Sequence, residues 1–89
     1  MDTERTNITR EVGSRIRYAR KSRGMSMDEL AQAIYKTRSA ISKYENGQIS
    51  VDIATLYDIA NALKVSIYDL LHRNTPDIGQ EYNAEVPAF

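Results

Sequence analysis

The chain has 89 residues, no cysteine and one histidine, so it is expected to form one domain without disulfides, thiol catalysis or a metal site. Its formal net charge is zero, but residues 5–48 carry ten bases against four acids, whereas residues 49–89 carry two bases against six acids. This division would let one face meet a polyanion while the other stays solvated, although chance clustering of surface charge explains it equally well.

A first helix is predicted over residues 9–23. Its apolar residues recur at helical spacing, at Val12, Ile16 and Ala19. Thr9 is the expected N-cap, and Gly24 can end the helix in a left-handed conformation. Residues 1–8 are therefore predicted to be an arm that precedes the domain.

Two short helices joined by a tight turn are predicted next. Ser26 and Glu29 form a capping box that opens the second helix. The buried stripe of that helix is predicted at Leu30, Ala31 and Ile34. Thr37 is the expected cap of the third helix, and Gly47 ends it. The residues of the third helix that are expected to face the core are Ile41 and Tyr44.

The last two predicted helices are also marked by caps. Asp52 is expected to cap a fourth helix, whose inner face is predicted to hold Ile53, Leu56, Ala60 and Leu63. Ser66 and Asp69 repeat the capping-box pattern and open a short fifth helix. Residues 73–89 have no helical period and are predicted to form a C-terminal tail. With no strand pattern, the predicted fold is all-α, with its domain over residues 9–72.

The stretch from Ser26 to Gly47 has the pattern of a helix-turn-helix unit. Its second helix begins with small and polar side chains. Such a helix can enter the major groove of B-DNA, about 12 Å wide, and present its first turn to base edges. The helix before it would cross the DNA backbone. This unit is the most informative part of the sequence for function.

The motifs around this unit resemble the Cro/C1-type helix-turn-helix family, which includes phage repressors and XRE-like regulators. They are GSRIR at 13–17 with Arg20, GMS at 24–26, ELAQ at 29–32 and ISKYENG at 41–47. The resemblance covers residues 12–71 and implies a compact five-helix, lambda-repressor-like domain. It implies a bacterial or phage repressor that binds double-stranded DNA. Because one module contacts few bases, a homodimer on a palindromic operator is expected, with half-sites about 34 Å apart.

The resemblance implies DNA contacts on the second and third helices. The residues expected to read bases are Arg38, Ser39, Ser42 and Lys43. The residues expected to contact the DNA backbone are Ser26, Met27, Gln32, Lys36, Thr37, Asn46 and Gln48. The guanidinium of Arg38 has the planar fork that pairs with O6 and N7 of guanine. Solvated surface charge is the alternative for Arg38 and Lys43, and Gln32 could instead brace the third helix.

Other residues receive architectural roles. The resemblance implies that Arg20 and Glu45 form a buried or half-buried ion pair between the first and third helices. A candidate dimer interface lies on the fifth helix, at Ile67, Tyr68 and Leu71, unless these residues only close the core. Tyr35 and Lys64 stand where relatives often have glycine. A left-handed conformation is costly for a bulky residue, so the turn at Tyr35 is expected to differ slightly.

The competing functions are an enzyme and a protein-interaction module. No nucleophile–base set, phosphate loop or metal cluster is evident, so neither catalysis nor a cofactor is expected. The fold could serve instead as an antitoxin or an adaptor, with Tyr82, Val86 and Phe89 of the tail meeting a protein partner. No apolar run approaches the roughly 20 residues that span a bilayer, and no signal peptide is evident, so the expected location is the cytoplasm.

Overall fold

The computed structural model describes residues 3–72, and this part of the chain contains five α-helices and no strand. The helices are α1 (Thr3–Ser22), α2 (Met27–Ala33), α3 (Arg38–Glu45), α4 (Ile53–Leu63) and α5 (Ile67–Leu71). The prediction of an all-α, five-helix architecture is confirmed. The tail predicted at residues 73–89 lies outside the described residues. Within them, no helix is long and apolar enough to cross a bilayer.

Helix α1 begins at Thr3, six residues before the predicted start. Thr9 is not its cap, because the Thr9 hydroxyl donates to the Arg5 carbonyl oxygen at 3.1 Å inside the helix. No glycine or proline interrupts residues 3–9, and Glu4 in the first turn favours the positive end of the helix dipole. Residues 3–8 therefore belong to α1, and the prediction of a separate arm is wrong for them.

The predicted caps of the other helices are present. Each side chain accepts a hydrogen bond from the backbone amide three residues later, at Ser26, Thr37, Asp52 and Ser66. Reciprocal capping boxes are complete at Ser26 with Glu29 and at Ser66 with Asp69. These interactions satisfy amides that have no partner within their own helix.

Left-handed residues close the C-terminal ends of α1 to α4. The four residues with positive φ are Gly24, Tyr35, Gly47 and Lys64. At Tyr35, φ is 59°, and the next amide, that of Lys36, donates to the Ala31 carbonyl oxygen at 2.9 Å. The turn between α2 and α3 therefore has the glycine-like geometry despite its tyrosine. The expected deviation at Tyr35 is absent, because the backbone hydrogen bonds that close α2 require this conformation.

The core lies where all five helices meet. Its fully buried large side chains are Ile16, Leu30, Ile41, Ile59, Leu63 and Leu70. Ile53 does not join them and is 62% exposed, which corrects its predicted inward position. It lies in the first turn of α4, and the buried face of that helix begins only at Thr55 and Leu56.

Helices α1 and α3 approach closely at Gly13. A Cβ atom on this residue would lie 2.2 Å from the Tyr44 carbonyl oxygen and 2.8 Å from that of Glu45. Only a residue without a side chain fits there. This contact holds the C-terminal end of α3 against α1.

Candidate nucleic-acid interface

Helix α3 presents its polar residues on the face opposite its core contacts. Ile41 and Tyr44 are buried and anchor the helix. Positions three and four residues apart share a helical face, so the four predicted base-reading residues lie together on the outer side. They are Arg38, Ser39, Ser42 and Lys43, of which Ser42 is half-buried and the others are exposed.

A shallow concave surface brings these four residues together with two residues from neighbouring segments. These two residues are Met27, the first residue of α2, and Gln48, just after α3. Both were expected to contact the DNA backbone. The surface, which we call the α3 concavity, is lined by Met27, Arg38, Ser39, Ser42, Lys43 and Gln48.

The α3 concavity carries positive charge. Its lining includes the cations Arg38 and Lys43 and no carboxylate. The N-terminal end of α3, where Arg38 lies, adds the positive end of the helix dipole. Such a surface attracts anions, and its polar side chains can exchange hydrogen bonds with base edges.

The other predicted backbone contacts do not line the concavity. Those that the structure exposes on neighbouring segments are Ser26, Gln32, Lys36, Thr37 and Asn46. The Ser26 hydroxyl oxygen accepts from the Glu29 amide at 3.0 Å, and that of Thr37 accepts from the Ala40 amide at 3.1 Å. Each hydroxyl keeps its own hydrogen to donate to an anion. Asn46 Nδ2 lies 3.4 Å from Ser42 Oγ, at the edge of the concavity.

The expected ion pair between Arg20 and Glu45 is present and holds the buried side of α3 in place. Arg20 Nε lies 2.6 Å from Glu45 Oε2, and Arg20 Nη2 donates to Glu45 Oε1 at 3.0 Å. The hydrogen bond to Glu45 raises the pKa of Arg20, whereas burial opposes that rise. Arg20 Nη1 also donates to the Met25 carbonyl oxygen at 2.8 Å, just before α2. One buried guanidinium thus links α1, the α2 entrance and α3.

Tyr35 was not among the predicted DNA contacts. It stood out in the sequence only because a left-handed backbone is expected at its position. It lies two residues before the α3 cap, and its side chain is 94% exposed. Tyr35 is not one of the predicted buried positions of α2 or α3, and this indicates that its ring lies outside the core. The nearly complete exposure of the ring is seen only in the fold.

The candidate dimer interface lies apart from the α3 concavity. On α5, Tyr68 is 62% exposed, Leu71 is 47% exposed and Ile67 is half-buried. Leu70 of the same helix is buried and closes the core. Leu71 also lines a second, largely apolar groove with Ile8, Val12, Val51 and Leu56. The structure thus leaves part of α5 uncovered, together with the neighbouring side of α1.

Two comparisons with known proteins agree with a helix-turn-helix domain. A helix-turn-helix family model matches residues 16–70, more than half of the chain. An uncharacterized transcriptional regulator in the ATPase CF(0) region of Rhodospirillum rubrum is 36% identical over 61 residues. That match covers 68% of this chain, which spans 56% of the relative's length.

Solved structures share the fold. The restriction-modification controller protein C.AhdI from Aeromonas hydrophila is 27% identical, with a TM-score of 0.72 over 75% of this chain and 97% of that protein. The P22 c2 repressor protein, in complex with a synthetic operator, is 27% identical, with a TM-score of 0.66 over 71% of this chain and 96% of that protein.

These matches agree with the motifs and with the placement of α2 and α3. The relatives named here are a transcriptional regulator, a controller protein and a repressor, which agrees with the prediction that the chain is not an enzyme. The resemblance drawn from residues 12–71 is also confirmed. The chain belongs to the Cro/C1-type helix-turn-helix family of DNA-binding transcriptional regulators.

Proposed function

We propose that the chain is a cytoplasmic repressor that binds a palindromic DNA operator as a homodimer. The observation that carries the proposal is the α3 concavity, where four outward residues of one helix meet Met27 and Gln48. Two cations and two short hydroxyl side chains among those four suit base edges in a major groove. The P22 c2 repressor, which shares the fold, is bound to an operator in its structure, and this supports the same use here.

Arg38 is the proposed main reader of sequence. It is the first residue of α3 and lies where a groove-entering helix meets base edges. A bidentate pair with guanine O6 and N7 is worth about 1–3 kcal/mol of discrimination. Ser39 and Ser42 accept or donate at short range, and Lys43, one turn beyond Ser39, reaches a base or a phosphate.

The surrounding polar residues are proposed to position the domain on the duplex. Ser26 and Thr37 each keep a hydroxyl hydrogen, as their oxygens accept from their own helices. Lys36 adds a charge in the turn, and Gln32, Met27, Asn46 and Gln48 complete the predicted set. Contacts to phosphate set register and orientation without reading sequence.

Dimerisation is proposed through α5. One α3 helix contacts a few base pairs, so two copies about one helical turn apart are needed to read a palindrome. Tyr68 and Leu71 are large apolar side chains left exposed on that helix. A second copy packed there would cover them and hold two α3 helices at a constant spacing.

Selection of binding sites from random duplex DNA tests the proposal. Arg38→Ala and Lys64→Gly are then titrated on the selected site across a salt series. Each variant removes one exposed cation, but Lys64 lies between α4 and α5 and outside the α3 concavity. We expect an inverted repeat, steep weakening with salt, and loss of preference at one base pair per half-site for Arg38→Ala only.

Two other results would contradict the proposal in whole or in part. If no sequence is enriched and only weak, salt-sensitive binding remains, the chain does not read an operator. If a single half-site is enriched, the chain reads DNA but not as a symmetric dimer.

A further inference from the structure

Tyr35 has a strained, left-handed backbone conformation and an almost fully exposed side chain. Only Tyr35 and Lys64 among the described non-glycine residues have positive φ, at 59° and 61°. This region favours glycine, because the Cβ of other residues crowds the backbone there. An L-residue at such a position costs folding free energy that glycine would not cost.

Nothing in the folded domain offsets that cost through the tyrosine ring. The side chain is 94% exposed, so it buries almost no apolar surface. Within residues 3–72, no hydrogen bond or ring contact of the side chain is found. The backbone hydrogen bonds of the turn, from Tyr35 to Gln32 and from Lys36 to Ala31, would form equally well with glycine.

The location of Tyr35 indicates a use outside the folded domain. It lies two residues before Thr37, so its Cα is at most about 7.6 Å from that of the α3 cap. With the first turn of α3 in a major groove about 12 Å wide, a sugar–phosphate backbone must pass close to this turn. Lys36 and Arg38, on either side of Thr37, make the region positively charged.

We infer that Tyr35 contacts DNA, donating its phenolic hydrogen to a phosphate on the wall of the major groove that α3 occupies. Tyrosine suits this contact, because its ring is rigid and its hydroxyl is a strong donor. The inference rests on the proposed entry of α3 into the groove. Since phosphates carry no sequence information, Tyr35 contributes affinity for every duplex and not discrimination between duplexes.

The experiment uses Tyr35→Gly, Tyr35→Phe and, as the matched control, Lys64→Gly. Dissociation constants are measured on the selected operator and on a mismatched duplex. Thermal unfolding is measured in parallel. Both glycine variants relieve a positive-φ residue, so both should unfold at higher temperature than wild type. We expect Tyr35→Gly and Tyr35→Phe to weaken binding to both duplexes about fivefold for each hydrogen bond lost, or about 25-fold for a dimer that loses one in each half-site. Lys64→Gly should bind like wild type.

A variant that folds better yet binds less tightly cannot owe its defect to misfolding. Binding by Tyr35→Gly within twofold of wild type would overturn the inference, as would a Tyr35→Phe variant that retains wild-type affinity. A loss confined to the operator would overturn the phosphate contact. The wild-type titration separates this inference from the proposed function. If wild type binds the operator and the Tyr35 variants bind equally well, the inference fails and the proposed function stands.

Replacing operator phosphates one at a time with neutral methylphosphonate identifies the partner atom. At one position per half-site, the replacement should weaken wild type about fivefold more than it weakens Tyr35→Phe. Both proteins lose the charge of that phosphate, but only wild type loses the hydrogen bond. Equal effects on both proteins at every position would overturn the assignment.

Discussion

Arg20 donates two hydrogen bonds to the carboxylate of Glu45, from Nε at 2.6 Å and from Nη2 at 3.0 Å, and both side chains are buried. Its third nitrogen, Nη1, donates to Met25. The pair therefore joins α1 to α3 and to the entrance of α2. Because α3 carries the four predicted base-reading residues, this buried contact positions the concavity without touching DNA.

Breaking one side of the pair should destabilise the domain strongly. Glu45→Ala leaves a buried guanidinium without its carboxylate, so we expect a loss of about 3–5 kcal/mol in the free energy of unfolding. The double variant Arg20→Met, Glu45→Leu removes both charges and should recover much of that loss. Urea unfolding measures both. A double variant less stable than Glu45→Ala would contradict the view that the unpaired charge causes the loss.

Gly13 should tolerate no side chain. The Cβ of Gly13→Ala would lie 2.2 Å from the Tyr44 carbonyl oxygen, so α1 and α3 must separate. Despite the better helix propensity of alanine, we expect a loss of about 1–3 kcal/mol, as for overpacked cores. Ser14→Ala, at the exposed neighbouring position, is the control and should change stability by about 0.5 kcal/mol or less. Equal stability of the two variants in thermal unfolding would show that the helices adjust freely.

The Asp52 cap makes stability depend on pH on the acid side. Hydrogen bonds from the Thr55 side chain and backbone lower the pKa of Asp52 below its ordinary value of 3.8. The folded-state pKa is the lower one, so this contribution is fully present above about pH 4 and is lost as pH falls through the folded-state pKa. Asp52→Asn should show a smaller loss of stability on acidification below pH 4.

A proton titration followed by NMR checks the cause. In Thr55→Val, the pKa of Asp52 should move back towards 3.8, because one of its two Thr55 donors is gone. An unchanged pKa in that variant would show that the Thr55 hydroxyl does not cause the shift.

Charge placed on α5 should dissociate the proposed dimer. Leu71→Glu puts a carboxylate on a surface that a second copy would bury, and we expect a monomer at concentrations where wild type is a dimer. Tyr18→Glu is the control, since Tyr18 is 76% exposed on α1, more than two turns from the Ile8 end that neighbours Leu71. Sedimentation equilibrium gives the mass of each. A Leu71→Glu dimer would move the interface elsewhere.

Much of this protein could be predicted from short stretches of sequence. The caps at Ser26, Thr37, Asp52 and Ser66 involve atoms three residues apart, so the residues that form them are neighbours in the chain. The glycine-terminated end of α1 is equally local, because only the conformational freedom of Gly24 is needed there. The outward face of α3 follows from helical spacing alone.

Other features were not predicted correctly from short stretches of sequence. The start of α1 was mispredicted because Thr9 resembles a cap, whereas in the fold its oxygen lies 3.2 Å from Ser50 Oγ. Ile53 fits the apolar period of α4, yet no other helix within residues 3–72 covers it. Tyr35 has a costly side chain for a left-handed turn, and the backbone bonds that close α2 nevertheless hold it there.

The sequence by itself determined the five helices and their ends except for the start of α1, because caps, glycines and apolar periodicity act within a few residues. Only the tertiary structure decided that Met27, the outward face of α3 and Gln48 share one concavity. Their arrangement requires Gly13 to admit the α3 backbone and Arg20 to reach Glu45, 25 residues away along the chain. Such contacts depend on the distances between packed helices, which no local pattern specifies.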